Sequence, residues 1–211
     1  MSLYCSLAKE KKMYFMTAIF QIALFTLVPF LWWLVSARKE YSFFDWLGLK
    51  RIKHPRESKV YLWIICTLTL FSALSIFILY VMRDIETATS DFADLGAKAL
   101  FSIAIYAILK TSLSEEILFR GFLLKRLSHR FGFAVANLIQ SILFGLLHGV
   151  MFFRMIDTWQ TVLIVGLTGG IAWLMGFINE KKAEGSILPS WMIHAAANFL
   201  SGICTAFSLF G

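Results

Sequence analysis

The sequence predicts an all-α, polytopic membrane bundle of about six transmembrane helices. Three observations predict it. Of 211 residues, 59% are apolar and only 16% charged, with a mean hydropathy of +0.73; a water-soluble domain runs near ~45–50% apolar. The apolar residues gather in runs of ~20, the length a helix needs to cross a ~30 Å hydrocarbon core. The net charge of +7 sits mainly in the short segments between those runs, where it acts as a topology signal. That placement argues against a nucleic-acid surface, so the expected partner is the lipid bilayer.

The first run covers residues 13–36, between Lys9, Lys11 and Lys12 on one side and Arg38 and Lys39 on the other. Val35, Ser36 and Ala37 would satisfy a signal-peptide cleavage rule, but the run exceeds the ~7–15 apolar residues of a signal core. It is predicted to be retained as a helix, bent near Pro29. Residues 38–59 are strongly basic and carry Tyr41, Phe43, Phe44, Trp46, Leu47 and Leu49 as an apolar group. A segment lying on the membrane interface and a plain solvated loop both fit that pattern.

Residues 60–82 contain no charge and form the cleanest span. An acidic connection with Asp84, Glu86, Asp91 and Asp94 leads to a third helix at 100–124, followed by a basic turn at Lys125, Arg126 and Arg130. Spans at 133–153, 161–179 and 186–210 complete the set. Residues 1–96 read as a two-helix segment with a basic loop and residues 97–211 as a four-helix core, in one integrated domain. With the N-terminus outside, the cytoplasmic segments hold 12 Lys and Arg against 6 outside, the asymmetry the positive-inside rule favours. Cys5, Cys66 and Cys204 are scattered and form no metal or disulfide pattern.

The third helix carries charges that a membrane disfavours. Glu115, Glu116 and Arg120 fall within six residues, although each charge at a helix centre costs ~2.5–3.5 kcal/mol on insertion scales. Glu116 and Arg120 are spaced i, i+4 and can pair. Glu115 points ~100° away around an α-helix, which leaves one carboxylate for chemistry. A blander reading ends the span here, with Arg120 snorkelling to the interface. The other helices weigh against it. His148 lies on the fourth and His194 on the sixth, with Asn198 one turn beyond His194 on the same face.

Gly145, Gly149 and the alanines 195–197 leave room for close helix approach, and Gly166, Gly169, Gly170 and Ala172 form a candidate packing face. Depth counted from the predicted span ends puts Glu115 at roughly 16 Å, His194 at roughly 12 Å and His148 at roughly 22 Å. His148 joins the others only if its helix starts late or tilts. His54 and His129 read as solvated surface, and Lys110 as facing a polar groove.

Glu115-Glu116-x-x-x-Arg120, Phe144-x-x-x-His148 and His194-x-x-x-Asn198 resemble, in order and spacing, the three motifs of the CPBP family of intramembrane proteases. Glu184-Gly185-Ser186-Ile187 leads into the third motif in the same way. That family includes type II CAAX prenyl endopeptidases and bacteriocin-processing or immunity Abi proteins. The resemblance covers residues 97–205.

It implies an intramembrane endopeptidase in which Glu115, with His148, activates a water. His194 and Asn198 would hold the oxyanion, and Glu116 and Arg120 would support the site or bind substrate. No cofactor is favoured; Zn²⁺ on Glu115, His148 and His194 is the metal-dependent alternative, although HExxH is absent. The implied substrate is a membrane-associated or lipidated peptide or protein, and the implied location is a bacterial cytoplasmic membrane. Two other functions fit the same residues. One is an immunity or regulatory protein with dispensable protease activity; the other is a small proton-coupled carrier.

Overall fold

The computed structural model describes residues 2–56, 59–83 and 85–209, with side chains from residue 12 onward. Cys5, Lys9, Lys11 and Asp84 lie outside the described side chains. Among the described residues there are seven helices and no strand: α1 (Ser2–Ser36), α2 (Phe43–Leu47), α3 (Val60–Val81), α4 (Gly96–Phe131), α5 (Phe133–Phe152), α6 (Thr158–Lys181) and α7 (Leu188–Ala206). Five of them, in α1, α3, α4, α5 and α6, are long and apolar enough to cross a membrane. The protein is a multi-pass membrane bundle. The expected sixth span corresponds to α7, which is shorter than 186–210 and is not among the five helices long and apolar enough to cross a membrane. His194 and Asn198 dilute its apolarity, and Pro189 in its first turn sets where it begins.

The apolar runs divide into two kinds. About a third of each α4, α5 and α6 span is buried (39%, 39% and 33%), against 11% for α1 and 6% for α3. The peripheral helices α1 and α3 therefore present most of their surface to lipid, while α4 to α7 enclose the polar interior. Pro29 lies within α1 without ending it. Tyr14 and Ala18 of α1 pack with Phe92 and Ile103, and Val60 of α3 packs with Ile171 and Met175 of α6 and Ile193 of α7.

The third span differs from its sequence reading in length and winding. It begins at Gly96 and runs through the predicted basic turn to Phe131, because no glycine or proline follows Gly121 until Gly132, which ends it with φ +77°. Two stretches, Ile105–Leu113 and Ile117–Leu124, are wound as π-helix around the α-helical turn Ser114–Glu116. Such widening is rare and concentrates at functional sites. Side-chain hydroxyls help satisfy the displaced carbonyls: Thr111 donates to Tyr106 O at 3.0 Å and Ser114 to Lys110 O at 2.8 Å.

Helices α5 and α6 make the closest pair. A Cβ on Gly145 would collide with the Val165 carbonyl, and one on Gly169 would press the Ser141 carbonyl at 3.1 Å. Gln140 and Asn137 of α5 donate to the Ala172 and Trp173 carbonyls of α6 at 3.1 and 3.0 Å. Gly166 and Gly170, expected in the packing face, meet nothing within 4 Å, whereas Gly176 packs under Asn137. The α6 stripe that touches α5 thus passes through 169 and 176.

The basic segments gather at one end of the bundle. Lys125 donates to Glu180 and to Gly185 O, both at 2.7 Å, and Ser186 Oγ donates to Lys50 O at 2.6 Å. The 38–59 segment contains a docked helix. Ser42 caps α2, Leu47 seats over Gly121, and Trp46 packs on Phe122 with the Arg126 guanidinium 4.1 Å above its ring. His54, expected as free surface, stays exposed but contacts Glu184 at 3.1 Å. The backbone N–H of His54 donates to the same carboxylate and, with the Lys53 N–H, holds it below the usual carboxylate range.

The seam makes a testable distinction between glycines. Gly145→Ala is expected to lower unfolding free energy in detergent by about 1–3 kcal/mol through overpacking. Gly170→Ala is expected to leave it unchanged or raised, because alanine favours a helix where nothing obstructs it.

Candidate active site

The hairpin at Gly132 puts the second motif level with the first. Glu115 lies 17 residues before Gly132 and His148 lies 16 after it, while Arg120 and Phe144 are each 12 away. Antiparallel helices with similar rise bring equal offsets to equal depth. The expected depth mismatch of His148 disappears because α4 ends at Phe131 and not at 124. Helix α7 starts level with Lys125, to which Gly185 is bonded. Glu115 lies ten residues before Lys125 and His194 nine after Gly185. Carboxylates and imidazoles from α4, α5 and α7 therefore meet at one depth.

Glu116 is the junction. It is fully buried, and its Oε1 accepts from Arg120 Nη1 at 2.9 Å and from His194 Nδ1 at 3.1 Å. The i, i+4 spacing survives because the intervening backbone still carries both residues on one face. Arg120 is also fully buried, with its guanidinium 4.3 Å from the centre of the Phe144 ring. A desolvated cation–π contact of this kind contributes ~2 kcal/mol. Below His194, Asn179 of α6 and Ser190 of α7 exchange hydrogen bonds at 2.7 and 3.3 Å and fix the approach of the two helices.

Glu115 is held differently. Its Oε2 stands 3.8 Å from His194 Nε2, too far for a hydrogen bond, and is buried with no hydrogen-bond partner in the protein. Glu116 Oε2 and Arg120 Nε and Nη2 are likewise buried without a protein partner. Buried polar groups are normally paired, so this cluster retains unused donor and acceptor capacity.

The second motif fixes a tautomer. His148 Nδ1 lies 2.9 Å from Phe144 O. A carbonyl only accepts, so Nδ1 carries the hydrogen and a neutral His148 presents Nε2 as an acceptor. Its ring packs on Phe144 at 4.5 Å, and His194 meets the same ring at 6.0 Å. Glu115, Arg120 and His194 all act electrostatically on His148. Asn198 shares the His194 face, but its Nδ2 donates to Thr111 Oγ1 at 2.9 Å and Ser112 Oγ at 3.3 Å. Lys110 is half-buried with its Nζ 5.9 Å from the Tyr106 ring centre, and His129 is exposed.

The three candidate zinc donors are not gathered as a ligand set. Among the described residues, no group of three His, Cys, Asp or Glu side chains is arranged to hold a metal ion.

Phe144, Thr111, Ser112, Asn179 and Ser190 carried no role in the sequence reading. Phe144 was visible as the first residue of its motif. The hydroxyl and amide residues had no signal beyond their polarity in apolar helices.

Residues 97–200, α4 to most of α7, match the family model of the Rce1-like type II CAAX prenyl endopeptidases. Over this region the chain is similar to that family. No curated protein and no solved structure matches it. That match supports a membrane endopeptidase in general, and the region matched contains all three motif helices.

The junction predicts unequal effects at adjacent residues. Glu116→Gln leaves Arg120 as an uncompensated buried cation and is expected to cost about 3–5 kcal/mol of stability. Glu115→Gln removes no hydrogen bond and is expected to leave the unfolding midpoint in detergent near that of the parent.

Proposed function

We propose that the site hydrolyses a peptide bond of a membrane-associated or lipidated protein using a water activated by Glu115. The observation that carries this reading is the division of labour between neighbouring carboxylates. Glu116 spends Oε1 on Arg120 and His194 and keeps only Oε2 without a partner, whereas Glu115 is tied to neither of them by a hydrogen bond and its Oε2 is buried without a partner. A general base needs such an oxygen within hydrogen-bond reach of the proton it removes.

In the proposed reaction, water lies between Glu115 and the Nε2 of His148. Glu115 takes one water proton as the oxygen attacks the scissile carbonyl carbon, and His148 orients the water through its acceptor nitrogen. The carbonyl π bond opens to an oxyanion, which accepts from His194 Nε2–H and from Asn198. Donors already aimed at developing charge are a major source of rate enhancement in enzymes.

His194 donates to Glu116 through Nδ1, and donation from Nε2 calls for a hydrogen on that nitrogen as well. Asn198 reaches the oxyanion by exchanging one of its two hydroxyl acceptors. Collapse of the tetrahedral intermediate breaks the C–N bond, and the proton on Glu115 passes to the departing amine.

The family name supports a substrate with a prenylated CAAX terminus, and the siting of the carboxylates among lipid-facing helices supports a chain held at the membrane. The basic end formed by residues 38–59, 125–130 and 180–185 is assigned to the cytoplasmic side by its excess of Lys and Arg.

The test uses the purified protein in lipid vesicles with a quenched fluorescent farnesyl-CAAX peptide. Glu115→Gln is expected to lower kcat by about 10²–10⁴-fold while the protein stays folded, and exhaustive chelation is expected to leave the parental rate intact. Full activity in Glu115→Gln would overturn the assignment of the base. Loss of activity on chelation, restored by Zn²⁺, would replace the metal-free mechanism.

A further inference from the structure

We infer that Phe144 is the positioning residue of the site: its ring sets the mutual orientation of the Arg120 guanidinium and the two imidazoles. This inference rests on the hydrolytic reading above and adds a residue that touches neither water nor the scissile bond.

Four groups from three helices surround this one ring. The Arg120 guanidinium carbon lies 4.3 Å from its centre. The His148 ring is 4.5 Å away at 35°, the His194 ring 6.0 Å away at 75°, and the Phe119 ring 5.0 Å away at 85°. Phe144 is itself 2% exposed, and the α5 backbone beside it is pressed against α6 at Gly145. The ring has no room to drift, so what packs on it is located by it.

Each contact supplies an orientation that the hydrogen bonds leave open. Arg120 has one protein hydrogen bond, from Nη1 to Glu116, while Nε and Nη2 have none. One bond fixes a distance and leaves the guanidinium plane free to turn; the aromatic face fixes the plane. His148 has one protein hydrogen bond, to the Phe144 carbonyl, and its ring is stopped by the Phe144 side chain. Tautomer and tilt are thereby set by the backbone and side chain of a single residue. His194 is anchored at Nδ1 by Glu116 and steadied by the edges of Phe144 and Phe71, the latter at 6.0 Å.

Electrostatics distinguish this role from simple filling. A leucine would occupy much of the same space with an apolar side chain, but it has no negative π face to attract a desolvated cation. Arg120 would then lose the contact that fixes its plane and turn among the unsatisfied oxygens of Glu115 and Glu116, disturbing the charge around the base.

The experiment replaces Phe144 by leucine, by tyrosine, and by mono-, di- and trifluorinated phenylalanine, which weaken the π face at nearly constant shape. Hydrolysis of the farnesyl-CAAX peptide is followed as kcat and KM. Leucine is expected to lower kcat by about 100-fold, the effect of a small misplacement of reacting groups, with KM changed by less than about threefold. Tyrosine recovers most of that loss, and kcat falls stepwise with fluorine count.

A flat fluorine series, or a leucine variant with parental kcat, overturns the inference. If the parent protein cleaves no peptide, the hydrolytic reading fails first, and melting temperature decides the role of Phe144. Fluorination should then lower the melting temperature in the parent and not in the Arg120→Met protein; an equal decrease in both overturns it.

Discussion

One carboxylate oxygen organises the interior of this bundle. Glu116 Oε1 accepts from a guanidinium on its own helix and an imidazole on α7, inside a hydrocarbon layer where none of these groups is stable alone. Burying an ionised side chain costs several kcal/mol even after relaxation, and the cost is offset only by good geometry and additional hydrogen bonds. The arrangement meets that condition by placing the anion between a guanidinium and an imidazole N–H and laying the aromatic face of Phe144 against the guanidinium. Helix α7 cannot leave α4 without exposing Glu116 and Arg120 to lipid. The same constraint fixes the register of three helices and the height of the site.

Height is set at the end of the bundle where the basic segments meet. Gly132 reverses the chain after α4, and equal residue offsets on either side bring Arg120 opposite Phe144 and Glu115 opposite His148. The Lys125 contacts with Glu180 and Gly185 then set where α7 begins, which brings His194 to the same depth. Charges that orient the protein in the membrane also measure out its interior. The π-wound stretches around Glu115 and Glu116 place the two carboxylates in a local α-turn bordered by wider backbone, so that adjacent residues face different partners.

Much of this was legible in the residues, and what was not has identifiable physical causes. Apolar run length located each crossing helix, because ~20 residues are needed to span the hydrocarbon. Spacing foretold the Glu116 and Arg120 pair, and the isolated charges and imidazoles pointed to the membrane interior. The end of α4 was misplaced because a cluster of Lys125, Arg126 and Arg130 resembles a turn, whereas a helix continues through charged residues until a breaker such as Gly132.

The π winding left little trace, since a shift in backbone bonding alters neither composition nor hydropathy. Gly166 and Gly170 looked like packing glycines because small residues on a helix are recognised by type, and only the partner helix reveals which ones it touches. Phe144 stood out as a motif residue but carried no role, because residue type and spacing do not reveal what packs on its ring. The hydroxyl partners of Asn198 required the fold before they could be found.

The most direct measurement of the shared carboxylate is ¹⁵N NMR of the histidines in the protein reconstituted in lipid. The shared junction requires a hydrogen on Nδ1 of His194 with a hydrogen-bonded shift that disappears in Glu116→Met, which has no carboxylate or amide oxygen to accept it, while His148 keeps its own Nδ1 hydrogen on the Phe144 carbonyl. An Nδ1 of His194 without a hydrogen, or a spectrum unchanged by Glu116→Met, would contradict the joining of these helices through that oxygen.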